Sequence, residues 1–148
     1  MSERGCSCWL ELVVCVILYK DESLYNGMKC DCPYSNYKFL LVKRDNGKWA
    51  IPGGIGGSEV TNNLFSFAAV EVLYDTDFYL IPSELEQFKT IISSCGKNIT
   101  IFFSCKLGRY NEDLKGKLFS FKEIQNMDKN GEIAFDNAQI IAEFIEKQ

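Results

Sequence analysis

The sequence predicts an α/β fold in which a mixed β-sheet lies between helices. Five short segments, at 9–19, 37–43, 88–94, 99–107 and 117–121, have the β-branched and aromatic content of strands. One helical pattern at 59–74 stands between the early and late strands, and another closes the chain. Strands on both sides of a central helix favour one mixed sheet with helices packed on it. We expect all 148 residues to form a single domain.

In chain order, the first two strands are expected to flank a long polar loop at 20–36. Asn46-Gly47 follows the second strand and is typical of a tight hairpin turn. A short strand at 49–51 then runs through Pro52 into four glycines between 53 and 57. Such a turn lets the backbone approach another backbone or a ligand without interference from Cβ. Ser58 is the expected N-cap of the central helix.

After Pro82 the chain is expected to form two strands joined by a turn at Gly96, and then the strand at 117–121. The last helix is expected to begin at Asp136, because Gln139 three residues later has the spacing of a capping box. Its apolar side consists of Ile140, Ile141, Phe144 and Ile145.

Charge and hydropathy exclude several classes of protein. The formal net charge is −4 and no block of lysine or arginine occurs, which argues against binding to a nucleic-acid backbone. The apolar run at 10–19 is too short to span a bilayer and contains Glu11, so we expect no membrane segment. With no histidine in the chain, Ser-His and Cys-His mechanisms are excluded, and acid–base or metal chemistry must rely on carboxylates or cysteines.

The seven cysteines indicate reduced thiols in a cytoplasmic protein, because their number is odd and no signal peptide precedes them. Cys6-x-Cys8 and Cys30-x-Cys32 together offer four thiolates to zinc, but Cys-x-Cys is not the usual spacing of a zinc site. We therefore expect no structural zinc.

Glu71 and Asp75 form the main candidate site. Their i, i+4 spacing places both carboxylates on one side of the central helix, beside the glycine-rich turn. Hard divalent cations prefer several oxygen ligands, and one helix face can supply two of them. The alternative is an ordinary solvated helix face, since acids at this spacing are common.

Two stretches of the sequence resemble the Nudix box, G-x5-E-x7-R-E-U-x-E-E-x-G-U. Residues 49–54, W-A-I-P-G-G, fit its usual lead-in, and residues 67–78, F-A-A-V-E-V-L-Y-D-T-D-F, fit its second half in register. The segments at 39–44 and 133–141 resemble flanking elements of ADP-ribose-type members. The resemblance implies a Nudix-like α/β/α sandwich and cleavage of a nucleoside diphosphate linked to another moiety. It also implies Mg²⁺ or Mn²⁺ held by the box acids.

The departures from the box fall on its working residues. Val70 stands at the arginine position, Tyr74 at the first glutamate of the E-E pair, and Asp77 at the closing glycine. Asp75 shortens the second glutamate. The spacing to the lead-in is two residues too long, which places Asn62 at the upstream glutamate position. Glu59 is a substitute metal ligand if the insertion adds about one turn to the helix.

The resemblance predicts a weak hydrolase of ADP-ribose-like compounds in which Glu71 and Asp75 are catalytic. Those two residues and Glu59 would hold the metal. Arg44, Gly53, Gly54 and Trp49 would bind substrate, although an arginine at a strand end is often solvated and Trp49 can simply be packing. Glu112, Asp113 and Glu123 are further candidates for a base.

Two alternatives to an enzyme stay open: a non-catalytic nucleotide-binding or sensing module, and a protein-interaction scaffold without a ligand. The expected partner is a small nucleotide, with no nucleic acid and no membrane. The sequence leaves the oligomeric state open, a homodimer included.

Overall fold

A computed structural model describes residues 11–21, 37–56, 63–108 and 113–148. The strands are β1 (Glu11–Asp21), β2 (Tyr37–Lys43), β3 (Trp49–Ala50), β4 (Gly53–Gly56), β5 (Glu86–Ile92), β6 (Asn98–Lys106) and β7 (Lys117–Ser120). The helices are α1 (Leu64–Thr76), α2 (Phe121–Lys129) and α3 (Asn137–Glu146), with a 3-10 turn at Pro82–Glu84. Across these ranges, no helix has the length and apolar character needed to cross a membrane.

The seven strands form one mixed sheet in the order β3-β2-β1-β6-β5. β4 pairs with the first half of β1, and β7 pairs with β2. β1 and β6 run parallel, whereas the other named pairs are antiparallel. The predicted α/β fold with a mixed sheet is therefore confirmed.

Both faces of the sheet are covered, which explains why the central strand is apolar almost throughout. Alternate residues of β1, among them Val14 and Val16, pack with Ala68 and Val72 of α1. Ile17 on the other face packs in a second core, to which α2 and α3 contribute. The members from these helices include Ile124, Ile140, Ile141, Phe144 and Ile145. The helices therefore enclose the sheet from both sides, as in an α/β/α sandwich.

The predicted start of the central helix is wrong. α1 begins at Leu64 with Asn63 as its N-cap, whose side-chain Oδ1 accepts a hydrogen bond from Ser66 N at 3.1 Å. This bond satisfies one of the amides that are free in a first helical turn. α1 therefore does not begin at Glu59 as expected, and Ser58 and Glu59 lie outside the described residues.

Two further elements differ from the sequence prediction. Residues 53–56, expected as part of a turn, form β4. α2 was not predicted at all, although Ser120 and Glu123 form a complete capping box at its start. Conversely, Asp136 is the N-cap residue of α3 but makes no side-chain capping hydrogen bond.

Candidate functional site

The candidate site is built where α1 meets the glycines of β4. In the β4–β1 pair, Gly53 lies opposite Cys15 and Gly54 opposite Val14. A Cβ atom on Gly53 would lie 2.2 Å from the Val14 carbonyl oxygen and 2.8 Å from Cys15 Cα. Only glycine permits such a close approach of the two backbones, so β4 presents no side chain at this position.

Glu71 and Asp75 both lie against this glycine pair. Asp75 Oδ2 accepts a hydrogen bond from Gly53 N at 3.1 Å. A Cβ atom on Gly54 would lie 2.3 Å from Glu71 Oε2, so the missing side chain leaves the space that the carboxylate occupies. The structure thus brings together four residues that the sequence singles out for the site.

The pKa values of both acids, Glu71 and Asp75, are raised. Burial raises the pKa of Glu71, and the neighbouring Asp75 carboxylate raises it further. Burial also raises the pKa of Asp75, opposed by the hydrogen bond from Gly53 and by the charges of Lys115 and Arg44. Within the described part of the chain, Glu71 has no hydrogen-bond or ion-pair partner, which is the state of a carboxylate available to a cation.

The donor set is compatible with a loosely held divalent ion. Mg²⁺ is usually held by one or two carboxylates, with water and substrate phosphate supplying the remaining oxygens. Glu71 and Asp75 supply that number from one helix face. The described ranges contain no group of three or more His, Cys, Asp or Glu side chains that could enclose a metal.

A cleft of about 530 Å³ lies beside β4. Its volume is within the usual range of small-molecule sites. The cleft is lined by residues of β1, β4, β5, β6 and α3, including Val13, Cys15, Gly53, Gly54, Thr100, Phe102, Ile140 and Glu143. Glu71 and Asp75 do not line it. They reach the glycine edge of the cleft from α1, on the other side of β4.

Backbone pairing next to β3 positions the start of α3 at this cleft. Trp49 N donates to the Glu132 carbonyl at 2.9 Å, and Ala134 N donates to the Trp49 carbonyl at 2.8 Å. Asn137, at the start of α3, is buried in the cleft wall. Its Oδ1 accepts a hydrogen bond from Ile51 N at 2.9 Å. No described residue takes up the Asn137 Nδ2 donors, so a buried amide group is available to a ligand at the cleft wall.

Phe135 forms part of the same wall in an unusual conformation. Its φ is +50°, in the left-handed region that bulky residues rarely adopt. The ring is exposed, and the Arg44 guanidinium carbon lies 4.7 Å from its centroid. Backbone strain of this kind clusters at active sites and ligand clamps, and the guanidinium over the ring is a cation–π contact.

No family model and no curated protein sequence matches this chain. Its structure is similar to the NUDIX domain of Shewanella oneidensis NrtR, solved in complex with ADP ribose, with a TM-score of 0.67 and 20% identity. That match covers 95% of this chain and 89% of the other. A MutT/nudix family protein from Listeria innocua gives a TM-score of 0.63 and 20% identity, over 92% of each chain.

A third similar structure is a bifunctional NMN adenylyltransferase/ADP ribose pyrophosphatase from Francisella tularensis, complexed with AMP and a Mn ion. It gives a TM-score of 0.64 at 16% identity, covering 93% of this chain and 42% of that one. This chain has the Nudix fold. At these identities the similarity establishes the fold, and the chemistry has to be argued from the residues of this site.

The Nudix-box departures lie on the surface of α1. Val70 and Tyr74 are 62% and 79% exposed, so the arginine and first-glutamate positions hold side chains that face solvent. Asp77, at the closing-glycine position, has the left-handed conformation that glycine would adopt, with φ +65°. Asn62 and Gly57 lie outside the described residues.

The remaining predicted site residues separate into two groups. Arg44 lines the cleft. Trp49 instead packs edge-on against Phe119, with ring centroids 5.0 Å apart, and is not part of the cleft lining. Glu123 is engaged by the capping box of α2, Asp113 is exposed, and Glu112 lies outside the described residues.

Of the cysteines, Cys15, Cys95 and Cys105 are described, and all three are free thiols. Cys105 is buried, whereas Cys15 is half-buried and lines the cleft. Burial raises the pKa of Cys15 to about 12, with a further contribution from the Asp75 charge. The Cys15 thiol is therefore a neutral part of the cleft wall at physiological pH. The two Cys-x-Cys pairs lie outside the described residues.

Several cleft residues were missed by sequence reasoning. Phe135 and Asn137 flank the predicted helix start at Asp136 and were not proposed as site residues. The available signal was the resemblance of 133–141 to a flanking element of ADP-ribose-type members. Lys89 and Glu143, which also line the cleft, carry no local signal because they meet only through the packing of α3 on β5.

Proposed function

We propose that this Nudix-fold protein is a slow, metal-dependent hydrolase of a nucleoside diphosphate linked to another moiety, of the ADP-ribose type. The observation that carries the proposal is the close fit between Gly54 and the Glu71 carboxylate, with Asp75 bonded to Gly53 beside it. Two acids are held together at the edge of a cleft large enough for a nucleotide. The similar structures that contain ADP ribose or AMP support this ligand class.

In this proposal Glu71 and Asp75 would hold Mg²⁺ or Mn²⁺, which would neutralise the diphosphate and supply an activated water. Asp75 is oriented by the Gly53 amide, which leaves its other oxygen for a cation. Arg44, at the cleft wall, places a guanidinium where it can donate to a phosphate oxygen. Asn137 presents amide hydrogens to the remainder of the ligand.

Slow chemistry follows from the exposed positions on α1. Val70 supplies no hydrogen bond to orient Glu71, and Tyr74 supplies no anionic ligand. Misplacement of a reacting group by about 1 Å can cost about 100-fold in rate. We also expect Mn²⁺ to support more activity than Mg²⁺, because Mg²⁺ requires stricter octahedral geometry.

The second candidate is a nucleotide-binding or sensing module without catalysis. It is favoured by the same exposure of Val70 and Tyr74, since the described residues near the carboxylates provide no third acid to replace the missing one. Such a module would keep the cleft and the two acids but release its ligand unchanged.

The deciding experiment incubates the protein with ADP-ribose, dinucleotides and nucleoside triphosphates, each with Mg²⁺ or Mn²⁺, beside a Glu71→Gln control. We expect slow turnover with Mn²⁺ that Glu71→Gln abolishes, and a larger gain from Val70→Arg combined with Tyr74→Glu than from either alone. Thermal stabilisation by nucleotide without turnover would support the sensing module. Turnover that survives Glu71→Gln would place the chemistry elsewhere.

Two broader proposals concern the cellular setting. We propose a reducing compartment such as the cytoplasm, because the described cysteines are free thiols. We also propose a small nucleotide as the partner rather than nucleic acid or membrane, in line with the net charge of −4. Binding assays with single-stranded RNA and anionic vesicles, performed at low salt, would contradict this by showing saturable binding.

A further inference from the structure

The strand register gives the length of the cleft. Cys15 of β1 pairs with Gly53 on one side and with Phe102 of β6 on the other. Phe102 in turn pairs with Lys89 of β5. These residues form one row across four strands, and neighbouring strands lie about 4.8 Å apart. Lys89 is therefore about 14 Å from the glycine edge that Glu71 and Asp75 contact.

A β-bulge directs Lys89 into the cleft. Successive residues of a regular strand face opposite sides of the sheet. The β5–β6 register shifts between Gln87 and Lys89, and as a result Phe88 and Lys89 both contact α3. The Phe88 ring lies 5.5 Å from that of Phe144, and Lys89 forms an ion pair with Glu143. Bulges that redirect a side chain in this way are frequent next to functional sites.

The Lys89–Glu143 ion pair lies in the cleft wall, where β5 meets α3. Both side chains line the cleft and are about 30% exposed. The contact joins Lys89 Nζ to Glu143 Oε1, and no described residue bonds to Oε2 of Glu143. A positively charged donor and a carboxylate acceptor therefore stand side by side in the cleft, whose lining also includes the apolar side chains of Val13 and Phe102.

We propose that Lys89 and Glu143 are specificity-determining residues that bind the polar edge of a purine base. This inference rests on the proposed function, because it assumes a diphosphate at the Glu71–Asp75 end. Adenine and guanine both present an N–H donor next to an acceptor, which complements a carboxylate next to an ammonium group. A nucleotide extended along the cleft places its base far from its phosphates. This matches the distance of about 14 Å between the glycine edge and Lys89.

The competing explanation is that the pair only fastens α3 to the edge strand. Calorimetry with Mn²⁺ separates the two, using inorganic pyrophosphate as a probe without a base and the α,β-methylene analogues of ADP and GDP as probes with one. The variants are Glu143→Gln and Lys89→Met. Glu146→Gln is the matched control, since Glu146 is an exposed acid on the same helix that does not line the cleft.

We expect Glu143→Gln and Lys89→Met each to weaken binding of at least one nucleotide analogue by about 10-fold, the usual cost of a lost hydrogen bond to a charged group. The affinity of these two variants for pyrophosphate should be unchanged. The Glu146→Gln control should bind every probe as the wild type does. A preference between the ADP and GDP analogues would identify the base.

Equal loss for pyrophosphate and nucleotides, or no loss for either, would overturn the inference in favour of a fastening role. So would a wild-type protein that binds the nucleotides no more tightly than pyrophosphate, although the proposed function would then stand. If Glu71→Gln leaves pyrophosphate binding unchanged, the proposed function fails, and this inference fails with it.

Discussion

At the scale of single residues, two adjacent glycines have different tasks. Gly53 allows β4 to lie against β1, because any side chain there would collide with the backbone of Val14 and Cys15. Gly54 allows the Glu71 carboxylate to lie against β4, where the atoms that a Cβ would meet belong to a side chain. Gly53 is therefore required for strand pairing, whereas Gly54 is required for the position of the Glu71 carboxylate.

This difference predicts opposite outcomes for two alanine substitutions. Gly54→Ala should displace the Glu71 carboxylate and weaken Mn²⁺ binding by about 10- to 100-fold, with little change in the melting temperature. Gly53→Ala should destabilise the fold by about 1–3 kcal/mol through overpacking against backbone. Gly108→Ala is the control, since a Cβ there meets no atom of the described residues within 4 Å. Equal destabilisation by Gly53→Ala and Gly54→Ala in thermal melts would contradict this assignment.

The raised pKa of Glu71 has a consequence for stability. Burial and Asp75 raise it above the ordinary 4.5, so the folded state holds this proton more tightly than the unfolded chain does. Ionisation of Glu71 therefore costs stability as the pH rises from the unfolded pKa through the folded pKa, and the cost remains at higher pH.

Glu71→Gln should thus raise the melting temperature of the metal-free protein at pH 7. The gain should be only about 1–2 °C, because Glu71 is only partly buried and solvent screens its charge. The gain should vanish at about pH 3.5, below the unfolded pKa. Melts in EDTA across this range test it, with the exposed Glu146→Gln as reference. A gain that is the same at every pH would show that the charge of Glu71 is not its cause.

At the scale of elements, α1 ends at a residue, Asp77, whose left-handed backbone conformation is unfavourable for an aspartate. Asp77 caps the helix with φ +65°, and its N–H donates to the Leu73 carbonyl. L-residues pay a steric cost in this left-handed region, and glycine does not. Within the described residues, the Asp77 side chain forms an exposed ion pair with Lys115 at 3.6 Å, and such pairs contribute little.

Asp77→Gly should therefore stabilise the protein by about 0.5–1 kcal/mol, despite the loss of this ion pair. Asp77→Ala removes the same carboxylate but keeps a Cβ, and it should destabilise. Urea unfolding of both variants provides the comparison. If glycine and alanine change the midpoint in the same direction, the carboxylate rather than the backbone conformation controls this position.

At the scale of the whole molecule, the three described thiols differ in how far the fold protects them. Cys95 is exposed in the β5–β6 turn, where hydrogen bonds from Ser93 and the Lys97 backbone lower its pKa. Burial raises the pKa of Cys15 to about 12 and that of Cys105 to about 11. Since the thiolate is the reactive form, the hydrogen bonds at Cys95 and the burial of Cys15 and Cys105 separate their reactivities.

Iodoacetamide at pH 7.5 should modify Cys95 at least about 100-fold faster than Cys15 or Cys105, as followed by peptide mass spectrometry. In concentrated urea the three rates should converge, because unfolding removes the burial. Native-state labelling of Cys105 at the rate of Cys95 would show that the core around β6 opens far more often than its packing implies.

The mixed α/β sheet and most of its strands could be predicted from the order of residues, because apolar and β-branched periodicity is a local property of the chain. The order of residues also placed Glu71, Asp75 and the glycines near one another, since i, i+4 spacing and a strand-turn-helix order act over short distances. Local signals were less decisive for helix ends: Asn63, rather than Ser58, caps α1, and the capping box at Ser120 went unnoticed.

The contacts that complete the site depend on how distant segments pack in the folded protein. Asn137 reaches Ile51 across 86 residues of sequence, and Lys89 meets Glu143 across 54. Neither contact leaves a periodic or spacing signal, because each depends on how α3 packs on the sheet. The same packing buries Cys15 and raises the pKa of its thiol, and it removes Trp49 from the cleft to a place against Phe119. Contacts between residues close in sequence can be predicted from their spacing, whereas the walls of the cleft form only when distant strands and helices pack together.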